Sequence, residues 1–338
     1  MGNTNISKLY KYFTINQNFY NSIINNELYF SDPRNFNDPF DSNPRFSLTN
    51  KKENAKRLFL KVKEIINNYT SEITEFKDFK KYQRTCDFII KEPTGSLIFD
   101  YFNEVETKSL ERRLIEMHAF YNFKDIFEKA FINSFVDFQL KIYQDLVFLL
   151  IDYKKYGICC GSITPTCPVM WGHYADNHQG VCVELSLVDK NNSQHLCLSK
   201  EESVDVSKLN YSNEPLDIFN SEEFHLDNFI SSVLNTKSLK WNYENEIRLI
   251  NKYQGLLKIN KKCLTKVIFG CKTTAKDRYS ICRLLANLGY HFEFLIAKMQ
   301  PNSYEMKIEP MSLKDIAGSG VYFSELNIEP PVTLKNLV

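Results

Sequence analysis

Trp241-Asn-Tyr-Glu-Asn-Glu-Ile-Arg-Leu-Ile250 decides how this chain is read. As an extended strand it places Glu244, Glu246 and Arg248 on one face and Trp241, Tyr243, Ile247 and Leu249 on the other, because successive side chains of a strand point to opposite sides. Like charges at alternate positions of one face repel, so a chain keeps such a pair where solvent, a basic partner or chemistry compensates it. Two readings follow. One is a solvated strand face with Arg248 as partner, the other a catalytic Glu-x-Glu strand. Trp241 and Tyr243 are expected to hold the strand from the core side.

Short β patterns recur on either side of this stretch. Toward the N-terminus, Leu9–Phe13 reads as a strand, Asn16–Asn26 as a helix and Glu27–Ser31 as a second strand, followed by turns at Asp32-Pro33 and Asn37-Asp38-Pro39. From Lys51 to about Ile151 the period changes: Ala55, Leu58, Phe59, Val62, Ile65 and Ile66 fall three and four apart, the spacing of one helix face. The Leu58, Phe59, Val62 and Ile66 stripe must be buried, either on the core or in an oligomer or partner interface. Strand patterns return at Ile158–Ile163, Val181–Leu187, Lys266–Gly270, Phe292–Ala297 and Tyr304–Glu309, with helices at Met170–Ala175 and around Ile281–Leu288. The expected architecture is a single α+β domain over residues 1–338, with a helical insertion at 51–151.

Composition narrows the function classes. With 338 residues, 43% hydrophobic and 25% charged, the chain is an ordinary globular protein. A formal net charge of +1 lacks the basic excess of a dedicated nucleic-acid or membrane-surface binder. The most apolar run, Phe131–Ile151, is interrupted by Asp137, Lys141 and Asp145, so it reads as a buried helix and no membrane partner is expected. Met1–Ser7 has no basic segment leading into an apolar core, and the nine cysteines are an odd number, which together point to a cytoplasmic protein with free thiols. Those cysteines lack paired Cys-x-x-Cys spacing, and no metal site is expected.

His173, Tyr174, Asp176 and His178 form a dense polar cluster. It reads either as an acid-base site containing His173 or as a helix stop and turn into the strand at Val181. Asn37-Asp38-Pro39 with Asp41 reads either as a loop fixed by Asx turns or as a ligand-binding loop. No Walker loop, dinucleotide glycine fingerprint or Gly-x-Ser-x-Gly elbow is present.

Four ordered motifs, Leu9-Tyr-Lys-Tyr12, Asn35-Phe-Asn-Asp-Pro-Phe-Asp41, Met170-Trp-Gly-His-Tyr-Ala-Asp-Asn-His-Gln-Gly180 and Trp241–Arg248, resemble a widespread bacterial domain-of-unknown-function family, number 2971. The order of parts is also similar to the ADP-ribosyltransferase superfamily. There a first strand carries an Arg or His that grips NAD, a later strand carries Ser or Tyr at the nicotinamide pocket, and a further strand carries the catalytic Glu. Lys11 and Tyr12 stand on the first strand here, Lys11 where the superfamily has Arg or His. Gly161-Ser-Ile-Thr164 resembles the Ser-Thr strand, with Tyr174 on the helix that follows. Glu244-Asn-Glu246 resembles the Glu-x-Glu strand of the arginine-modifying branch.

The resemblance implies an ADP-ribosyltransferase-like fold with a mixed or antiparallel β core, and NAD as the substrate consumed by transfer or hydrolysis. Breaking the bond to nicotinamide leaves positive charge on the ribose, and a preorganised carboxylate, Glu246, is suited to stabilise it. Glu244 would orient or deprotonate the acceptor. Ser162 would position the nicotinamide end, Tyr174 would stack on a ring, Lys11 would meet a phosphate, and Tyr12 and Arg248 complete the expected NAD contacts. The acceptor stays open between protein, nucleic acid, small molecule and water, as does a role as a bacterial toxin or defence effector. The alternative is a non-catalytic ligand-sensing or protein-interaction module of a bacterial stress or phage-defence system.

Overall fold

A computed structural model of the chain describes residues 6–49, most positions between 54 and 69 and between 137 and 152, and residues 154–190, 193–197, 203–219, 226–290, 292–312 and 315–316. In chain order the elements are β1 (Lys8–Phe13), α1 (Gln17–Asn25), β2 (Glu27–Phe30), β3 (Phe46–Ser47), β4 (Gly157–Ser162), α2 (Pro168–Tyr174), β5 (Val181–Ser186), β6 (Val188–Lys190), β7 (Ser193–Cys197), β8 (Ser203–Lys208), β9 (Asn210–Ser212) and β10 (Leu216–Asp217). They continue with α3 (Leu226–Leu234), β11 (Thr236–Ser238), β12 (Glu246–Asn251), β13 (Gly255–Lys258), β14 (Leu264–Phe269), α4 (Ala275–Asn287), β15 (Glu293–Met299) and β16 (Met306–Pro310). The chain divides into two compact units, one of Met1–Ser42, Tyr156–Asn213 and Asn235–Val338, the other of Asn43–Lys155 and Glu214–Leu234.

The first unit is built on a ten-stranded sheet in the order β16-β15-β14-β5-β1-β4-β12-β8-β7-β6. Its pairings are antiparallel apart from β14 with β15, which the α4 crossover joins in parallel. Alternation along the strands separates two apolar faces. On one, Leu9, Val183, Leu185, Ile247 and Leu249 pack with Phe19 and Ile23 of α1 and Ile281 and Leu285 of α4. On the other, Tyr12, Cys182 and Ile268 pack with Met170 and Trp171 of α2. The Trp171 indole N–H donates to the Pro165 carbonyl at 2.7 Å, and Tyr12 meets the Trp171 ring edge-on at 5.1 Å. α1 begins at Asn16, whose side chain accepts the Phe19 N–H, and ends on Asn26 in the left-handed conformation.

One pairing in the middle of the sheet is incomplete. β1 pairs with β5 along its whole length, and β4 with β12 from Ser162 to Gly157, but β1 and β4 pair only at Tyr10 and Ser162. Beyond that pair the strands part. Ser31, just past β2, takes the free edge of β4 through two 2.8 Å backbone hydrogen bonds with Ile158. Lys11 closes part of the gap, its ammonium donating to the Cys160 carbonyl at 2.9 Å. A chain that opens its sheet must satisfy the exposed carbonyls in some other way, and a lysine does so here.

The second unit contains the short parallel pair of β3 and β10, with Phe46 against Tyr143 and Phe229 at ring distances of 5.9 and 5.1 Å. Leu58, Val62 and Ile65 are buried, as are Tyr143, Leu146, Val147 and Leu150, so both apolar stripes that are described face inward. Ala55, Phe59 and Ile66 lie outside the described residues.

The deciding stretch differs from its expected form. Only Glu246–Asn251 is strand; Leu239–Glu244 is a 3-10 turn, and Asn245 joins the two with φ of 45°. Asparagine tolerates this left-handed conformation better than most residues, which is why the chain can break the strand there. Trp241 is consequently only half-buried and Tyr243 is exposed, so neither is the core residue that an unbroken strand would make it.

Candidate functional site

A cavity of about 190 Å³ lies where β1 and β4 part, lined among others by Lys11, Tyr12, Cys160, Tyr174, Glu244 and Glu246. Tyr174 of α2 and Asn37 are exposed at its rim. The glutamates are not on a solvated face: Glu244 is 1% exposed, Glu246 5% and Arg248 0%.

Their charge is compensated by a network that the linear sequence hides. Arg248, two residues along β12, donates from Nε to Glu246 Oε1 at 2.7 Å. Its Nη2 reaches Asp41 Oδ1 at 2.5 Å and its Nη1 donates to the Ser42 hydroxyl at 2.8 Å. Lys237, on β11, stands among three carboxylates: its Nζ is 2.6 Å from Glu244 Oε2, 2.7 Å from Glu246 Oε2 and 3.3 Å from Asp41 Oδ2. β11 lies parallel to β9 with Lys237 opposite Tyr211, and the Tyr211 hydroxyl accepts the Glu246 N–H at 2.8 Å. The small β9/β11 ribbon thus brings a cation and a phenol to Glu246 together.

Glu244 is held at both ends. Its carbonyl accepts from the Ser162 hydroxyl at 2.7 Å, and its Oε1 accepts from the Tyr174 hydroxyl at 2.7 Å. The environments drive the two carboxyls apart. Burial pushes Glu244 up, with the Glu246 charge adding to it, and Lys237 and Tyr174 only partly offset the rise. Burial acts on Glu246 in the same sense, but the Arg248 guanidinium and the Lys237 ammonium outweigh it and hold that carboxyl at about 2. Paired carboxyls separated in this way are the usual arrangement for a proton-exchanging group beside a permanently charged one.

The remaining expected residues fall in three places. Lys11, Tyr12 and Tyr174 line the cavity with the two glutamates. Lys11 donates to the Cys160 carbonyl at 2.9 Å, and the Tyr12 hydroxyl donates to the Thr164 carbonyl at 3.0 Å. Ser162 is fully buried behind Glu244 and Arg248 is buried behind Glu246, so both reach the cavity through the glutamates they hold. His173 is exposed on α2, outside the cavity lining, with its ring 6.2 Å from that of Tyr174. The residues after it form a helix stop: Asp176, Asn177 and His178 all have positive φ, and the Gly180 N–H donates to the Ala175 carbonyl at 2.7 Å.

Sequence reasoning missed Lys237 and Tyr211, and it weighed Asp41 only as part of a loop. That loop is indeed fixed by an Asx turn, the Asp38 carboxylate accepting the Phe40 N–H at 2.9 Å, and the turn delivers Asp41 to Arg248. One signal pointed to Lys237: two glutamates on a buried strand exceed the charge of one arginine, so a second cation had to come from elsewhere. Among the described residues no group of His, Cys, Asp and Glu is disposed to hold a metal ion, and none of the eight described cysteines forms a disulfide. No described helix is long and apolar enough to cross a membrane.

Residues 170–249 match a family described as protein of unknown function (DUF2971), and that span contains two of the four motifs, Met170–Gly180 and Trp241–Arg248. The matched span carries Tyr174, Tyr211, Lys237, Glu244, Glu246 and Arg248, six of the residues that build the site. No curated protein and no solved structure matches the chain.

Proposed function

We propose that this protein consumes NAD in the manner of an ADP-ribosyltransferase, splitting the bond between nicotinamide and ribose and passing the ADP-ribosyl group to an acceptor or to water. The supporting observation is the pair of glutamates at the sheet opening, one raised and one held ionised, facing a single cavity. In this reading Glu246 supplies fixed negative charge as positive charge develops on the ribose; one such preorganised group is worth about two to three orders of magnitude in rate. Glu244 exchanges a proton with the acceptor. At about 190 Å³ the cavity is below the range of about 300–1,000 Å³ that encloses drug-sized ligands, so it suits the nicotinamide-ribose end alone. Lys11 holds the opening through the Cys160 carbonyl.

A second reading has its own observation. Each carboxylate oxygen of Glu244 and Glu246 already accepts a hydrogen bond from a protein group, an arrangement equally suited to holding a ligand without turnover, as in a sensor or interaction module. Incubating the purified protein with NAD and following nicotinamide release separates the two. Release that is lost in Glu246→Gln and Glu244→Gln proteins whose circular dichroism remains native supports the enzyme. Equal release by the wild type and both variants removes the glutamates from the reaction, and binding of NAD without release favours the sensor.

A further inference from the structure

Glu244 lines the cavity yet is almost inaccessible, because its two oxygens are covered by different kinds of neighbour. On Oε2 sits Lys237, buried and tied at once to Asp41, Glu244 and Glu246. On Oε1 sits Tyr174, at the mouth of the cavity, 36% exposed, on the last residue of α2. Lys237 cannot withdraw without leaving Glu244 with no cation and taking one of two from Asp41 and Glu246, whereas Tyr174 can swing outward into solvent at the loss of its hydrogen bond to Glu244. We propose that Tyr174 is a removable cover for Glu244: a ligand hydroxyl reaches the carboxylate by taking the place of the Tyr174 hydroxyl on Oε1, and Tyr174 sets the proton affinity of Glu244 until it is displaced.

This cover extends the NAD-consuming reading, on which its catalytic consequence rests. With Tyr174 displaced, the acceptor hydroxyl passes its proton to the Glu244 carboxylate as its oxygen bonds the ribose anomeric carbon. The carbon–nitrogen bond breaks with its electron pair going to the nicotinamide ring. The acceptor class is therefore one that presents a hydroxyl, water included. Tyr174 itself does not touch the reacting atoms and acts as a positioning residue.

The charged and titratable groups around Glu244 are Tyr174 of α2, Lys237 of β11, Glu246 of β12, Tyr211 of β9 and Tyr243 of its own turn. Of these, Tyr174 and Lys237 bond its carboxylate directly, and both favour the ionised form. Removing the Tyr174 hydroxyl should consequently shift Glu244 to a higher midpoint, while the exposed ring position tolerates phenylalanine.

The test is a carbon-13 NMR titration of protein labelled at the glutamate side-chain carboxyl carbon, comparing wild type with Tyr174→Phe and assigning Glu244 by the resonance lost in Glu244→Gln. A higher Glu244 midpoint in Tyr174→Phe is expected; an unchanged or lower one overturns the proposal whether or not the protein turns over NAD. Wild type carrying 3-fluorotyrosine provides a readout that needs no folded Tyr174→Phe protein. Its Tyr174 fluorine resonance should follow the Glu244 midpoint and move toward the value of a solvent-exposed tyrosine when ADP-ribose is added; a resonance indifferent to both overturns the cover. If the wild type itself releases no nicotinamide, the NAD reading falls with its transfer step, and the midpoint shift alone decides whether Tyr174 covers Glu244.

Discussion

At the scale of single residues, the site is a contest between burial and charge. Burial disfavours the ionised form of Glu246, and two cations at 2.7 Å reverse the balance, so the folded state binds its proton far more weakly than the unfolded chain does. The sign for stability follows: a carboxyl depressed from 4.5 to about 2 stabilises the fold at neutral pH, and that contribution is lost as pH falls between those values. It amounts to about 3 kcal/mol. Denaturant unfolding at pH 7 and at pH 2 to 3 should show the loss in wild type and a smaller one in Glu246→Gln, which is also expected to be less stable at pH 7 because Arg248 and Lys237 lose a charged partner. Glu244 contributes with the opposite sign, since its raised value favours the protonated form in the fold and the benefit disappears as pH rises through it. Lys237→Met should cost about 3–5 kcal/mol at neutral pH, the usual consequence of leaving buried charges unpaired. A variant as stable as wild type in urea would mean that proton uptake or a rearranged Lys11 neutralises the acids instead.

At the scale of elements, the site depends on places where regular structure stops. α2 ends at Tyr174, the left-handed turn at Asp176–His178 reverses the chain, and β5 begins at Val181. Gly180 sits where a side chain cannot be accommodated, since a Cβ there would lie 2.1 Å from the Phe13 carbonyl oxygen. Gly180→Ala should therefore push β5 away from β1 and cost about 1–3 kcal/mol, read by thermal or chemical denaturation. Through the shift of α2 it should also loosen the Tyr174–Glu244 hydrogen bond. Asn245 does the equivalent at the other wall: by breaking the strand it turns Glu244 back toward Ser162 and Tyr174, where an unbroken strand would leave it two positions along from Glu246. The expected β1, α1, β2, α2, β5, α4 and β15 all form close to where alternation, apolar spacing and turn residues placed them. Those signals are local, and local signals survive folding when a residue packs with its sequence neighbours. The β6, β7 and β8 strands and the β9/β11 ribbon had no comparable signature, because these strands are short and are specified by the partners they meet.

At the scale of the whole molecule, the segment 51–151 supplies much of the second unit; its described positions between 54 and 69 and between 137 and 152 are helical, and the rest of the expected helical insertion lies outside the described residues. Deleting the segment removes Tyr143 and Phe148 from the rings of Phe46, and Tyr143 from that of Phe229. The exposed aromatic surface should drive association, so size exclusion with light scattering is expected to find oligomers or aggregates of the deletion variant; a monodisperse, folded monomer would show that Phe46 and Phe229 need no cover. By itself the sequence determined the alternation of a β-rich core with a helical block, the two glutamates with Arg248 and the identity of Tyr174, since each is a property of a contiguous run. Only the tertiary structure decided that Lys237, Asp41 and Tyr211 complete the site, that Ser162 and Arg248 act from behind it, and that Lys11 serves a carbonyl. Those assignments depend on which strands pair and where the sheet opens. The underlying hydrogen bonds and ion pairs join residues up to 207 positions apart, and no periodicity within a run of sequence can encode them.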